Sequence, residues 1–296
     1  MILVTGGTGF IGPHVVHALR AEDRPVRALV RNPSSREAQQ LRSWGVELSE
    51  GDVTRPDDLR AATDGVDVVV HLVSIIAGKP QDFERVMSAA TRDLVLAAQE
   101  AGVRRFVLMS ALGTSEQTKD LVPYYNAKWA MEQVVKGSSL EHVIFRPSFV
   151  FGESGGALQQ FKQLARLSPV TPIVGSGRQR IQPIWVDDVA AYFAASIDKP
   201  DAGGRTFELG GPDVVTWNEL WERLKKTLGV RRPSVHVPIG LMRAQAALLE
   251  KLPKPPVTRD QLTMLEAGDN VVSNDDAVRA FQLPLVPLAD QLRRAA

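Results

Sequence analysis

Apolar and polar positions follow two alternating patterns along the first half of the chain. Apolar runs of strand length occur at Met1–Val4, Val26–Arg31, Val46–Glu50, Val68–Ser74, Arg105–Ser110 and His142–Pro147. Between them lie Pro13–Arg20, Ser35–Trp44, Pro56–Thr63, Asp82–Ala101 and Tyr124–Lys136. In these segments apolar residues recur every three or four positions, as on a helix with one buried face. In Asp82–Ala101 the recurrence falls on Phe83, Val86, Ala90, Leu94, Val95 and Ala97. Short buried strands alternating with helices predict an α/β fold, a doubly wound parallel sheet covered on both faces.

Beyond Gly152 the texture changes. Proline and glycine become frequent, as in Ser168-Pro169, Thr171-Pro172, Gly175-Ser176-Gly177 and Gly210-Gly211-Pro212. Helical spacing returns at Trp217–Leu228 and Ile239–Leu252. We therefore expect a sheet domain over 1–152 and a smaller mixed α/β region over 153–296, some of whose segments return to the core of the first. The smaller region should bind substrate over the carboxyl edge of the sheet, where open α/β folds place their ligands. Lys251–Val257 is rich in proline but too short to link independent domains. Ile239–Leu252 is apolar on one side through Ile239, Met242, Ala246 and Leu249, which reads as a packing surface rather than a membrane or partner surface.

Composition narrows the class. At 296 residues the chain can bury a full core. It has no cysteine, so disulfides and thiolate metal sites are excluded, and its five histidines form no metal-ligand pair at helical spacing. A net charge of +1 provides no electrostatic footprint for nucleic acid. No apolar run reaches the roughly 18 residues of a membrane-spanning helix. With the first strand opening at Met1 or Ile2, no room remains for a leader. The expectation is a cytoplasmic, metal-free protein acting on a small-molecule substrate.

The first chemistry is at the start. The opening strand passes into Thr5-Gly6-Gly7-Thr8-Gly9-Phe10-Ile11-Gly12, and a helix-like segment follows at once. A tight turn with close backbone approach to a pyrophosphate needs glycine, and the helix N-terminus then faces the phosphates. Strand, spaced glycines and helix in this order predict a Rossmann-type dinucleotide site. A second candidate is Tyr124 with Lys128, four positions apart on one helix face. A neighbouring ammonium favours the phenolate and should lower the tyrosine pKa, and such a tyrosine exchanges a proton with a carbonyl.

Thr5–Gly12, Gly51-Asp52-Val53, Tyr124-x-x-x-Lys128, Arg146-Pro147 and Trp185-Val186-Asp187-Asp188-Val189-Ala190 occur in this order. Together they resemble the extended short-chain dehydrogenase/reductase superfamily across nearly the whole chain. Gly12–Val16, Val30–Pro33, Met109–Gly113 and Gln182–Val189 are similar to an atypical branch. That branch holds the nucleotide-binding accessory subunit of respiratory complex I and its bacterial relatives. The resemblance implies that Gly6, Gly9 and Gly12 line the pyrophosphate, with Thr8, Phe10 and Ile11 in the same turn. It implies that Asp52 and Val53 meet the adenine and that Leu72, Val73 and Ser74 pass beneath the nicotinamide ribose. Lys128 would bond the ribose hydroxyls, and Pro147, Ser148, Phe149 and Val150 would face the carboxamide. Asp52 also reads as a turn residue, and Asp187 or Asp188 as a helix cap.

One departure bears on catalysis. The family places a serine or threonine after the fifth strand to hold the substrate carbonyl, and that position falls on Ala111, with Ser110 beside it. Tyr124, Lys128 and Ser110 are therefore the expected catalytic set, an incomplete one, with Thr114 or Ser115 as substitutes. The nucleotide is argued from the end of the second strand, Leu29-Val30-Arg31-Asn32-Pro33, which lacks the carboxylate that holds an NAD ribose. Arg31 there, with Asn32 and Arg36 nearby, suits a 2′-phosphate, so NADP(H) is expected over NAD(H). The leading expectation is a reductase or dehydrogenase of a small carbonyl or quinone. The alternatives are a non-catalytic accessory subunit, assembly factor or redox sensor in peripheral association with a respiratory complex, and a nucleotide-sugar epimerase or dehydratase. For the last, Arg178 and Arg180 would meet substrate phosphate, although they read more simply as exposed arginines on a strand.

Overall fold

The structure, a computed structural model, describes residues 1–153, 155–250 and 257–296. The proline-rich 251–256, including the expected end of the helix at Leu252, lies outside the described residues. The chain divides into two units, one of residues 1–147, 186–209 and 274–284, the other of 148–185, 210–273 and 285–296.

The first unit alternates strand and helix: β1 (Ile2–Thr5), α1 (Gly12–Ala21), β2 (Val26–Val30), α2 (Arg36–Ser43), β3 (Glu47–Glu50), α3 (Pro56–Thr63) and β4 (Val68–His71). It continues through α4 (Pro80–Phe83), α5 (Ala90–Glu100), β5 (Arg105–Met109), α6 (Pro123–Lys136) and β6 (Glu141–Pro147). A seventh strand, Arg205–Leu209, lies beside β6. The sheet order is β3-β2-β1-β4-β5-β6-seventh, and every neighbouring pair is parallel. The chain reverses its direction of travel between β1 and β4, and that crevice is where such sheets bind ligands.

Alternate strand positions point to opposite faces. Leu3, Leu29, Val69, Phe106, Leu108 and Ile144 share one core with Leu59 of α3, Leu94 of α5 and Met131 and Val135 of α6. Burying each large side chain contributes roughly 1.5–3 kcal/mol. On α1, Val15, Val16 and Leu19 are buried.

Three elements differ from the patterning. Asp82–Ala101 is not one α-helix: a π-helical segment, Glu84–Ala89, separates α4 from α5. The seventh strand was not expected because it buries only Phe207 and Leu209, too short an alternation to stand out. The helix Val186–Ala195 is buried almost all round and shows little period. Asp187 and Asp188 lie inside its first turn and not at the cap position; Asp187 Oδ1 is 2.5 Å from His14 Nδ1 on α1.

The second unit is built of small pieces. Val150–Phe151 pairs with Ile184–Trp185, Thr171–Val174 with Ser234–Val237, and Arg180–Ile181 with Val215–Thr216. Helix Trp217–Thr227 starts on a capping box of Thr216 and Glu219. Its Trp217, Leu220, Trp221 and Leu224 join Phe151, Leu158, Ile173 and Trp185 in a separate core.

Candidate nucleotide site and proton-transfer residues

The glycine turn joins β1 to α1 and folds back on the end of β4. Gly6 has φ +79°, and a Cβ on it would stand 3.0 Å from the backbone of Leu72 and Val73. A Cβ on Gly12 would meet Gly6 O at 2.3 Å, so a side chain is excluded there. Gly9 closes the turn by donating to Gly6 O at 3.0 Å. It is exposed, and a Cβ on it would meet only Gly6 O, at 3.3 Å. The outer side of the turn is thus open. Ile11 supplies no side-chain cap to α1, so the first N–H groups of that helix point outward unclaimed by one. Thr8, Phe10 and Ile11 are half-buried around them. Donors, a positive helix end and room for close approach fit a dinucleotide pyrophosphate.

At the ends of β2 and β3 the structure brings together residues that are distant in sequence. Arg31 and Asn32 are exposed after β2, and Arg36 is exposed at the start of α2, which Ser35 caps. Asn32 accepts from the Ser34 N–H at 2.9 Å, a local turn. Asp52 Oδ1 accepts from the Thr54 N–H and hydroxyl at 2.9 and 2.8 Å, so its turn role is real. Burial acts to raise the Asp52 pKa, but the bonds from Thr54 and the charges of Arg31 and Arg55 hold it below the ordinary value. Arg31 is therefore not remote from every carboxylate, as the strand end alone suggested. The fold supplies Asp52 from the next strand. Val53 packs against the core.

The candidate proton-transfer residues stand on α6 and at the ends of β4 and β5. Pro123 opens α6, and Tyr124, Lys128, Glu132 and Lys136 follow at intervals of four, one stripe along the helix. Lys128 is fully buried and donates to Met109 O, at the end of β5, at 2.7 Å. Burial pushes its pKa down to about 7, against a raising effect of Glu132. Its Nζ lies 5.8 Å from the centroid of the Tyr124 ring. The Tyr124 pKa is not lowered. Burial of its hydroxyl end, though the ring is partly exposed, pushes it up to about 12, and this outweighs the nearby Ser74 hydroxyl. The expectation of a lysine-activated phenolate is corrected, because the lysine serves a backbone carbonyl and desolvation dominates.

Ser74 was expected only beneath the ribose. Its buried Oγ sits beside the Tyr124 hydroxyl, near enough to favour the phenolate, yet it makes no well-formed hydrogen bond among the described residues. Ser110 does the opposite. It donates to Glu132 Oε1 at 2.6 Å. Glu132, fully buried, also takes Arg146 through two bonds of 2.8 and 2.7 Å and Lys136 at 2.9 Å. Burial acts to raise the Glu132 pKa, but these donors hold it below the ordinary range. Ser110, expected in the catalytic set, thus gives its proton to a buried carboxylate. Ala111 is buried, Ser115 is tied to Thr118, and the buried Thr114 hydroxyl has no partner among the described residues.

Sequence reasoning missed Glu132 and His71. The first was signalled by its spacing from Lys128 and Lys136. His71, at the end of β4, is fully buried, with Nδ1 2.6 Å from Thr5 Oγ1 and Nε2 3.0 Å from Thr91 Oγ1. Thr91 donates its own proton to Met87 O in the π-helical segment, so it accepts from the histidine. The ring is then neutral with Nε2 protonated, and burial, helped by the Lys128 charge, pushes its pKa down to about 3.

Leu72 is buried and Val73 half-buried, next to Gly6. Pro147 ends β6 and accepts the Leu112 N–H at 3.0 Å. Ser148, Phe149 and Val150 belong to the second unit. There Ser148 donates to Gln182 O, Phe149 meets Trp217 edge-on at 5.4 Å, and Val150 pairs with Ile184. Arg180 is committed to Asp269 at 2.7 Å.

The fold and the turn define a nucleotide-binding protein of the α/β class. A profile described as NAD(P)H-binding matches residues 6–200, and the chain belongs to that family, of the extended short-chain dehydrogenase/reductase type. It is similar to the mitochondrial NADH dehydrogenase [ubiquinone] 1 alpha subcomplex subunit 9 of Arabidopsis thaliana, 30% identical over 96% of this chain and 73% of that protein. It is similar to the NAD(P)H azoreductase of Xenophilus azovorans, 30% identical over 84% of this chain and 80% of that one. The crystal structure of the NADPH-dependent quinone oxidoreductase of Escherichia coli with NADPH superposes with a TM-score of 0.80 at 22% identity, covering 99% and 98% of the two chains. No helix among the described residues is long and apolar enough to cross a membrane.

Proposed function

We propose that the protein is an NADP(H)-dependent reductase of a small carbonyl or quinone. The observation that carries this is the neutral Tyr124 hydroxyl set beside the Ser74 hydroxyl, which makes no well-formed hydrogen bond among the described residues and lies one residue from the backbone that Gly6 touches. A nucleotide held at the glycine turn would supply hydride. The chain's own residues manage the proton. Tyr124, un-ionised at neutral pH, donates to the oxygen that gains charge, and Ser74 offers a second hydroxyl donor to that oxygen in the place Ala111 leaves without one. Lys128, with a pKa near neutrality, holds the end of β5 and stands beneath the tyrosine ring. Arg31 and Arg36 suit a 2′-phosphate, and Asp52 tempers Arg31. The similarity to the NAD(P)H azoreductase supports the reading.

Ser110's commitment to Glu132 favours a second reading, a non-catalytic nucleotide-binding accessory subunit, which the similarity to a complex I subunit also supports. Arg180's pairing with Asp269 weighs against a sugar-nucleotide site. The test is calorimetric titration with NADPH and NADH beside a turnover screen of quinones and aldehydes. The proposal expects tighter NADPH binding, weakened about tenfold or more by Arg31→Ala, and measurable NADPH oxidation. Tight binding without turnover on any acceptor would establish the accessory reading instead. Preference for NADH would remove the role of Arg31.

A further inference from the structure

His71 takes no part in the proton transfer proposed above, yet it stands at the crevice between β1 and β4. Thr5 and His71 are the last residues of those two strands and face each other in the parallel register. Both are fully buried, as is Thr91 near the start of α5. The three form a directed chain of hydrogen bonds. Thr91 gives its proton to Met87 O at 2.7 Å, so it accepts from His71 Nε2 at 3.0 Å. The neutral ring then keeps only a lone pair on Nδ1, and the Thr5 hydroxyl, 2.6 Å away, donates to it.

Apolar side chains would fill this space without the cost of burying three polar groups. A satisfied polar chain adds direction: it fixes one separation and one rotamer where apolar packing tolerates several. What it fixes here is the point at which the glycine turn leaves the sheet. Gly6 follows Thr5, Leu72 follows His71, and the Leu72 N–H donates to Thr5 O at 3.0 Å. Gly6 lies so close to the next residues of the other strand that a Cβ on it would stand 3.0 Å from the backbone of Leu72 and Val73. The chain thus ties together, through side chains, the two strand ends whose backbones carry the turn. Its far end is anchored on Met87 in the π-helical segment.

We propose that Thr5 and His71 are positioning residues for the nucleotide: their hydrogen bond holds the glycine turn in the geometry that receives a pyrophosphate. This rests on the reading of the turn as the nucleotide site. Thr5→Val keeps the branched shape and removes the donor. In calorimetric titration with NADPH it should raise Kd about fivefold or more, because a released turn binds only through the fraction that keeps the competent geometry. Thr5→Ser, which keeps the hydroxyl, should stay within about twofold of wild type. A purely structural role would lower the melting temperature of Thr5→Val and leave Kd unchanged, and that result would overturn the proposal. Equal losses in Thr5→Ser and Thr5→Val would overturn it as well, since the hydroxyl would then not be what matters. If Thr5→Val does not fold, Thr91→Val cuts the chain at its far end and carries the same expectation and the same contrary result. In the wild type alone, long-range nitrogen–proton NMR spectra should show His71, assigned by its contact with the Phe106 ring, neutral with its proton on Nε2. A proton on Nδ1 would reverse the chain and overturn the proposal. A wild type that binds no NADPH would instead refute the nucleotide reading itself, and this inference with it.

Discussion

At the scale of single residues, the site turns on which hydroxyl has a proton to give. Ser110 donates to Glu132, whereas Ser74 lies beside the Tyr124 hydroxyl and makes no well-formed hydrogen bond among the described residues. The account predicts that Ser74→Ala lowers kcat for NADPH oxidation by about tenfold or more with little change in melting temperature. Ser110→Ala should do the reverse, losing stability by roughly 1–3 kcal/mol because buried Glu132 loses a donor. Steady-state kinetics and thermal melts of the two variants check this. An activity loss confined to Ser110→Ala would restore the expected set. The glycine turn was legible in the sequence because its constraint is local: Gly12 needs glycine for a contact six residues away. The Tyr124 pKa was not, because spacing shows that a lysine lies four residues on but not that its ammonium is turned to Met109 O.

At the scale of elements, α6 works as a ruler. Its stripe places Tyr124 at the site, Lys128 under the end of β5 and Glu132 between Ser110 and Arg146. Removing Glu132 leaves Arg146 and Lys136 without their shared carboxylate. Glu132→Ala should cost about 3–5 kcal/mol in chemical denaturation, and a loss below 1 kcal/mol would show that the network contributes little. Helix and strand types in the first 147 residues were readable because alternating buried strands and one-faced helices carry strong periods. The π-helical segment was not, since an extra residue in one turn leaves the apolar spacing nearly unchanged. The edge strand Arg205–Leu209 and the small sheets of the second unit were missed for the opposite reason. Two-residue strands such as Arg180–Ile181 have no period to read.

At the scale of the whole molecule, three groups of the candidate site contribute to the pH dependence of stability. His71 titrates at 6.5 in an unfolded chain and at about 3 in the fold. Between these values the unfolded state binds more protons, so stability falls as pH drops from 6.5 toward 3. Lys128, moved from 10.5 to about 7, has the same sign, and stability gains as pH rises from about 7 to 10.5. Tyr124, moved from 10 to about 12, opposes it, and stability is lost from pH 10 upward. Melting temperatures of wild type and His71→Gln across the acid range should converge as pH falls. Parallel curves would show that His71 does not carry the acid slope. The measurement that bears most directly on the proposed reaction is NADPH oxidation by Tyr124→Phe, followed by the loss of reduced-nicotinamide absorbance with a quinone or aldehyde that the wild type reduces. The account predicts a fall of about 10²–10⁴-fold in kcat with NADPH affinity nearly unchanged. Full activity in Tyr124→Phe would contradict it.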